Sequence, residues 1–136
     1  MRRSTLFIVL PLLALLAAGC DRERNTEDAR ALAARALRGA LAYPQSTLVN
    51  LSAGTDAAEL TFTSPAAAAD VAEWYRRALA VNGWEVKSDQ TGRDGAIAMY
   101  AQQGQRPLWL TVRPNVGGPG STYTMIGAVV AGDSIK

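Results

Sequence analysis

Ser64 to Trp84 reads as one capped amphipathic helix together with its stop signal, and a helix of this kind requires a surface to cover. Ser64 is placed to cap it. Pro65 takes the first helical position, where a missing N–H costs nothing, and Asn82-Gly83 offers a stop that glycine can make left-handed. Val71, Trp74, Tyr75, Ala78 and Leu79 fall on one face, with Asp70, Glu73, Arg76 and Arg77 opposite. Glu73 precedes Arg77 by one turn, the favourable order for a surface ion pair worth ~0.3–0.5 kcal/mol. Trp84 is expected to pack back on Leu79. Trp74 and Tyr75 read as core anchors rather than ligand contacts.

The flanking sequence supplies strands for that helix to cover. Thr47 to Ser52 and Ala58 to Thr63 are separated by Gly54-Thr55-Asp56, which has turn chemistry, and read as a hairpin. In the second run Leu60 and Phe62 point one way, Glu59, Thr61 and Thr63 the other. Trp84 to Ser88, Ala96 to Gln102 and Leu108 to Arg113 alternate similarly, the first two joined by a polar turn from Asp89 to Gly95. Thr122 to Val130 is apolar on both faces in its second half, which predicts a central or doubly covered strand. A further helix is predicted from Thr26, as N-cap, to about Leu41, with Glu27 and Asp28 in its first turn. The order is α-β-β-α-β-β-β-β. This is an α+β domain with a mostly antiparallel sheet of about six strands and the Ser64 to Gly83 helix on one face.

The N-terminal residues have a different character. Arg2 and Arg3 precede an apolar run from Leu6 to Ala18, the order of a secretory signal peptide. The run is shorter than the roughly 20 residues of a membrane span and contains Pro11. It ends in Leu16-Ala17-Ala18-Gly19-Cys20, whose cysteine is the only one in the chain and which resembles the lipobox of bacterial lipoproteins. That resemblance implies a diacylglycerol on the Cys20 sulfur, cleavage after residue 19 and an exported protein tied to a membrane on its periplasmic side. Asp21 resembles a signal for retention in the inner membrane, leaving inner against outer membrane undecided. Residues 20–25 then read as the lipidated cysteine and a short charged tether, and 26–136 as the single domain.

Removing Arg2 and Arg3 also removes the apparent basicity: the formal +2 becomes a balance of 12 Lys and Arg against 12 Asp and Glu. Such a chain offers a phosphate backbone no strong field, so nucleic acid is not an expected partner. Without histidine there is no Ser-His-Asp triad, Cys-His pair or histidine metal site. No metal and no cofactor beyond the lipid on Cys20 is expected. The close carboxylate pairs outside the helices and the tether, Asp56 with Glu59 and Asp89 with Asp94, lie at turns. They leave a small envelope glycan hydrolase as the enzymatic alternative, and a structural spacer or assembly accessory protein as another.

What the sequence offers for binding is the sheet face away from the Ser64 helix, where Tyr100, Trp109, Thr111 and Arg113 gather aromatic and cationic side chains. That face is expected to lie under the Thr26 helix, since an exposed Trp109 makes an apolar patch; left open, it is a binding surface. Tyr43-Pro44, Phe62-Thr63-Ser64, Val71, Trp74-Tyr75, Leu79 and Gly83-Trp84 together resemble a pattern of small exported bacterial domains. The order of elements is also loosely similar to BamC-type accessory lipoproteins of outer-membrane barrel assembly, without their particular sequence in the turn from Ser88 to Gly95. The lipobox-like segment together with the lack of catalytic residues points to a non-enzymatic binding or scaffolding module, with the membrane and an envelope protein as expected partners.

Overall fold

The computed structural model describes residues 17–132, with side chains from Arg22 onward. Residues 1–16 of the expected signal peptide (1–19) and the side chain of Cys20 lie outside the described residues. Two helices and six strands follow one another as α1 (Ala17–Ala36), β1 (Thr47–Ala53), β2 (Ala57–Ser64), α2 (Ala68–Val81), β3 (Glu85–Thr91), β4 (Ile97–Gln103), β5 (Arg106–Pro114) and β6 (Ser121–Ala128). The fold is α+β, and every sheet pairing is antiparallel in the spatial order β1-β2-β6-β5-β4-β3. β6 is therefore central, as its composition predicts.

One face of the sheet carries the core. Phe62, Met99, Leu108, Leu110, Val112, Tyr123 and Met125 are buried there against Val71, Tyr75 and Leu79 of α2. An aromatic chain runs through it. Phe62 stacks on Tyr123 at 5.1 Å, Tyr123 meets Tyr75 at 5.5 Å, Tyr75 meets Trp74 at 4.9 Å, and Trp74 meets Tyr43 at 5.5 Å. Edge-on and offset contacts of this kind add about 0.5–1.5 kcal/mol per pair beyond the area they bury. Both inner phenols reach the link between α1 and β1: the Tyr75 hydroxyl donates to the Leu41 carbonyl, and the Tyr123 hydroxyl accepts from the Tyr43 N–H, each at 2.9 Å.

The helix boundaries differ from the sequence expectation at three places, each for a local reason. α1 does not start at Thr26. It runs continuously through 20–25, and the Thr26 hydroxyl donates back to the Arg22 carbonyl at 2.9 Å, as a threonine inside a helix does. Residues 20–25 contain no glycine or proline to stop the helix, so the segment expected to be a tether is helical. At its other end α1 stops at Ala36 rather than near Leu41, because Gly39 adopts φ +81° in the turn that follows. α2 begins at Ala68, not behind Ser64. Ser64 instead ends β2 opposite Ser121, and its hydroxyl accepts the Ala66 N–H at 3.1 Å. Strand pairing takes precedence there over a local capping signal.

The stop of α2 is the one the sequence announces. Gly83 has φ +80°, the Trp84 N–H donates to the Leu79 carbonyl at 2.9 Å, and the Gly83 N–H donates to the Ala80 carbonyl at 3.2 Å. These two bonds make the Schellman motif, and Trp84 and Leu79 are buried in the same core. β3 continues to Thr91, further than Ser88, so the polar turn is the tighter one of residues 92–96, closed by the Gly92 N–H on the Ala96 carbonyl at 2.7 Å.

The largest correction concerns where α1 sits. It packs on β1, β2 and β6, on the same face as α2 and beside it. Leu32 and Ala33 are buried with Ala58, and Ala36 and Leu37 join the main core. The close approach occurs at Gly127, where a Cβ would lie 2.6 Å from Leu37 Cδ2 and 2.8 Å from the Ala36 carbonyl oxygen. A glycine inside a strand commonly marks such an approach of a second backbone. Accordingly Gly127→Ala should lower stability by ~1–3 kcal/mol in denaturant unfolding through overpacking. Because the clash is with α1 backbone, amide exchange in α1 should rise more than in α2; equal effects on the two helices would contradict this packing.

A second expectation comes from Tyr75. Burial, and then the neighbouring Tyr123, push its phenol far above the ordinary tyrosine range, so the folded state holds a proton that the unfolded chain releases. The contribution is fully present below the unfolded value near pH 10 and is lost as pH rises above it, by up to about 1.4 kcal/mol per pH unit. Tyr75→Phe should show a shallower fall of unfolding free energy between about pH 9.5 and 11 than the wild type. Parallel curves would mean that Tyr75 is not the group responsible.

Candidate functional site

With both helices on one side, the opposite side of the sheet carries no helix among the described residues. Neighbouring strands set its composition. Tyr100 of β4 and Trp109 of β5 are register partners, their rings 5.4 Å apart and tilted by 34°. Trp109 is 45% exposed, and Tyr100 is half-buried with its hydroxyl accepting from Gln102 Nε2 at 2.7 Å. The face expected to be covered by the Thr26 helix is thus open. The physical reason is that the apolar stripe of α1 is answered on the inner face, by Ala58 and by the gap that Gly127 leaves.

Arg113 lies on this same face four residues from Trp109, about 13 Å along the strand at ~3.3 Å per residue. It is exposed and forms no ion pair among the described residues. The sheet therefore brings Tyr100 and Trp109 into contact and holds Arg113 apart from them. Between the two groups runs a polar band in which Thr111 pairs with Thr124, and Thr124 with Thr61; the hydroxyls of Thr61 and Thr124 are 3.1 Å apart. The arrangement is an exposed sheet surface with an aromatic end and a cationic end, offering contact and charge.

Of the four carboxylates singled out from the sequence, those of Asp89 and Asp94 are held by hydrogen bonds. Asp89 lies at the edge of the sheet against α2, with Arg76 Nε donating to it at 2.6 Å and Arg76 Nη2 at 3.2 Å. Those bonds raise the Arg76 pKa, Asp89 being the main cause. Asp94 Oδ1 accepts the Ala96 N–H inside its own turn at 3.1 Å. Asp56 offers its backbone carbonyl to the Val129 N–H at 2.7 Å, and Glu59 stands half-buried on β2. Among the described residues no group of three or more Asp, Glu, His or Cys stands ready to hold a metal ion. No helix of the described residues is long and apolar enough to cross a membrane.

Two features escaped the sequence reading. One is Arg106, buried on the core face although its neighbours suggest a turn. Its Nη1 donates to the Arg35 carbonyl at 3.0 Å, its Nη2 donates to Gln103 Oε1, and its guanidinium lies 5.4 Å from the centre of the Trp84 ring. A cation at the last carbonyls of α1 meets the negative end of the helix dipole. Gln103 in turn donates to the Asn82 carbonyl at 2.8 Å, so one hydrogen-bonded chain joins the ends of both helices. The other feature is a groove of about 290 Å³ between α1 and the β1–β2 hairpin, lined by Ala33, Leu37, Leu48, Leu51 and Phe62 with Arg30 beside them. Gly127 is the signal in the sequence that points to it, because it places α1 on this side.

Searches of curated proteins and of solved structures found no match. A family described as START domain-like matches residues 44–123. The match runs from Pro44 through β1, β2, α2 and β3 to β5 and takes in the first residues of β6, leaving out α1 and the rest of β6. It covers more than half of the chain, and the chain belongs to the START domain-like family.

Proposed function

We propose that this protein is a membrane-anchored lipoprotein of the bacterial cell envelope, held through a lipid on Cys20, whose domain binds an envelope protein without catalysing a reaction. The observation that carries the reading is the bare outer sheet face, where Trp109 stands 45% exposed beside Tyr100 with Arg113 further along the strand. Trp, Tyr and Arg are the residue types that dominate the energetics of protein interfaces. A tryptophan on a flat sheet presents large apolar area at small conformational cost. START-like domains are typically ligand-binding rather than enzymatic, which supports the non-enzymatic part of this reading and says nothing of the partner. The lipobox-like Leu16 to Cys20 supports the anchor and, with it, the periplasmic location. Asp21 favours the inner membrane.

The anchor is tested by metabolic labelling with palmitate: the wild type should incorporate label and Cys20→Ala should not. A wild-type chain without label would remove the anchor from the proposal while leaving the binding face untouched. The face is tested separately, by crosslinking in cells from a photoreactive residue at position 111, between the aromatic and cationic ends. Trp109→Ala with Arg113→Ala should abolish the crosslinked species while changing unfolding free energy by no more than ~2 kcal/mol, since Trp109 loses two cross-strand pairs, with Tyr100 and Ile126, each worth up to about 1 kcal/mol. An unchanged crosslink pattern in this variant would sink the assignment of the face.

A further inference from the structure

We infer that the chain has a second binding site, at the β1 edge, which takes an extended peptide segment carrying a carboxylate and adds it to the sheet as a seventh strand. β1 and β3 are the two edges, and they are guarded differently. β3 carries Glu85, Lys87 and Asp89, with Lys87 and Glu85 paired at 2.7 Å. Charged side chains are a common means of keeping an edge from recruiting another strand. β1, with the sequence Thr-Leu-Val-Asn-Leu-Ser-Ala, has no charged residue, and it exposes Leu48 at 46% and Val49 at 55%. Each edge has one bulge, between Leu48 and Asn50 on β1 and between Val86 and Ser88 on β3, so the bulges do not account for the difference.

The groove described above runs beside this unguarded edge. Leu48 is the register partner of Phe62, and Leu51 that of Leu60, so both project to the inner face where α1 lies. Because side chains alternate along a strand, a segment paired with β1 would send every second residue to that face, beside Leu48 and Leu51 and under α1. Its backbone would satisfy the outer N–H and C=O groups of β1, and its alternate apolar side chains would fill the groove. This is the geometry of strand addition between a sheet edge and a helix.

Charge selects the occupant. Arg30 lines the groove and forms no ion pair among the described residues. A second copy of this chain pairing β1 with β1 would bring no carboxylate within the strand to meet it, because β1 contains none. An acyl chain would fill the apolar volume but leave the edge amides and carbonyls unanswered. An extended peptide with alternating apolar residues and an acidic side chain, or a C-terminal carboxylate, answers all three features.

The test uses the full chain, purified from membranes in detergent and immobilised, against a phage-displayed library of random heptapeptides. The recovered sequences should show apolar residues at alternate positions and Asp or Glu near one end. Synthetic versions should shift the amide resonances of β1 and not those of β3. Arg30→Glu should weaken binding of an acidic peptide by about fivefold or more and should improve binding of the same peptide with lysine in place of its acid. Leu48→Asp, at an exposed position, should weaken both. Failure to enrich any alternating sequence would overturn the proposal, as would binding of the acidic peptide that Arg30→Glu leaves unchanged. Dimerisation through β1 without peptide binding would assign the edge to a second copy. Displacement of peptide by a fatty acid at equal affinity in wild type and Arg30→Glu would assign the groove to lipid. Because Trp109 and Arg113 lie on the other face, the variant changed at both should bind these peptides normally, whatever becomes of the crosslinked envelope partner.

Discussion

Two buried phenols decide the architecture. Tyr75 and Tyr123 are fully buried, and each spends its hydroxyl on the backbone that joins α1 to β1. A buried hydroxyl or amide left without a partner costs ~1–3 kcal/mol, so these bonds are expensive to break even though the net gain of each is modest. They draw residues 41–43 across the inner face, and the Tyr43 ring completes the grip by meeting Trp74 edge-on. The link has its own strain: Gln45 sits at φ +63° in the turn after Pro44, closed by the Ser46 N–H on the Tyr43 carbonyl at 3.2 Å. With its C-terminal connection fixed in this way, α1 is delivered to the same side of the sheet as α2.

From that delivery the two surfaces follow. α1 and α2 share one face, with the end of α1 held by Arg106 and its last turn resting on Gly127. The inner face is then closed except where α1 stands off from the hairpin, and there a groove remains beside the β1 edge. Among the described residues no helix covers the outer face, and Trp109 and Arg113 are exposed there. Neither surface is an isolated feature. Both result from placing two helices on one side of a six-stranded sheet whose strands alternate.

The sequence revealed most where a signal was local and strong. Strand alternation in β2, β4 and β5, the Gly83 stop and the central place of β6 were all legible, because residue type and spacing determine them without long-range information. Ser64 and Thr26 misled for a shared reason: serine and threonine favour helix starts, yet pairing with Ser121 or continuation of a breaker-free helix outweighed that preference. The side on which α1 packs could not be read from its own residues, since an alanine-rich stripe fits either face. Gly127, a hundred residues away, was the informative position. Arg106 was hidden because its burial depends on Trp84, Gln103 and the end of α1 converging from three separate elements. At the site, the sequence placed Tyr100, Trp109 and Arg113 on one face; that the face is open depended on α1.

The continuity of α1 also bears on how the proposed anchor would present these surfaces. A charged extended linker from Cys20 to Thr26 would let the domain tumble against the bilayer. A helix running unbroken from Ala17 to Ala36, at about 1.5 Å per residue, is instead a strut. Its far end is fixed to the sheet through Ala36, Leu37 and the Arg106 bond, so there is no joint between residue 20 and the domain at which orientation could relax. A lipid at Cys20 would then be joined to the sheet by a helix of fixed length rather than by an extensible linker, which limits how far Trp109 and the β1 edge can range from the attachment point. Both readings of binding gain from this, because a partner held in the same membrane meets a surface confined to a narrow layer and loses less translational freedom on docking.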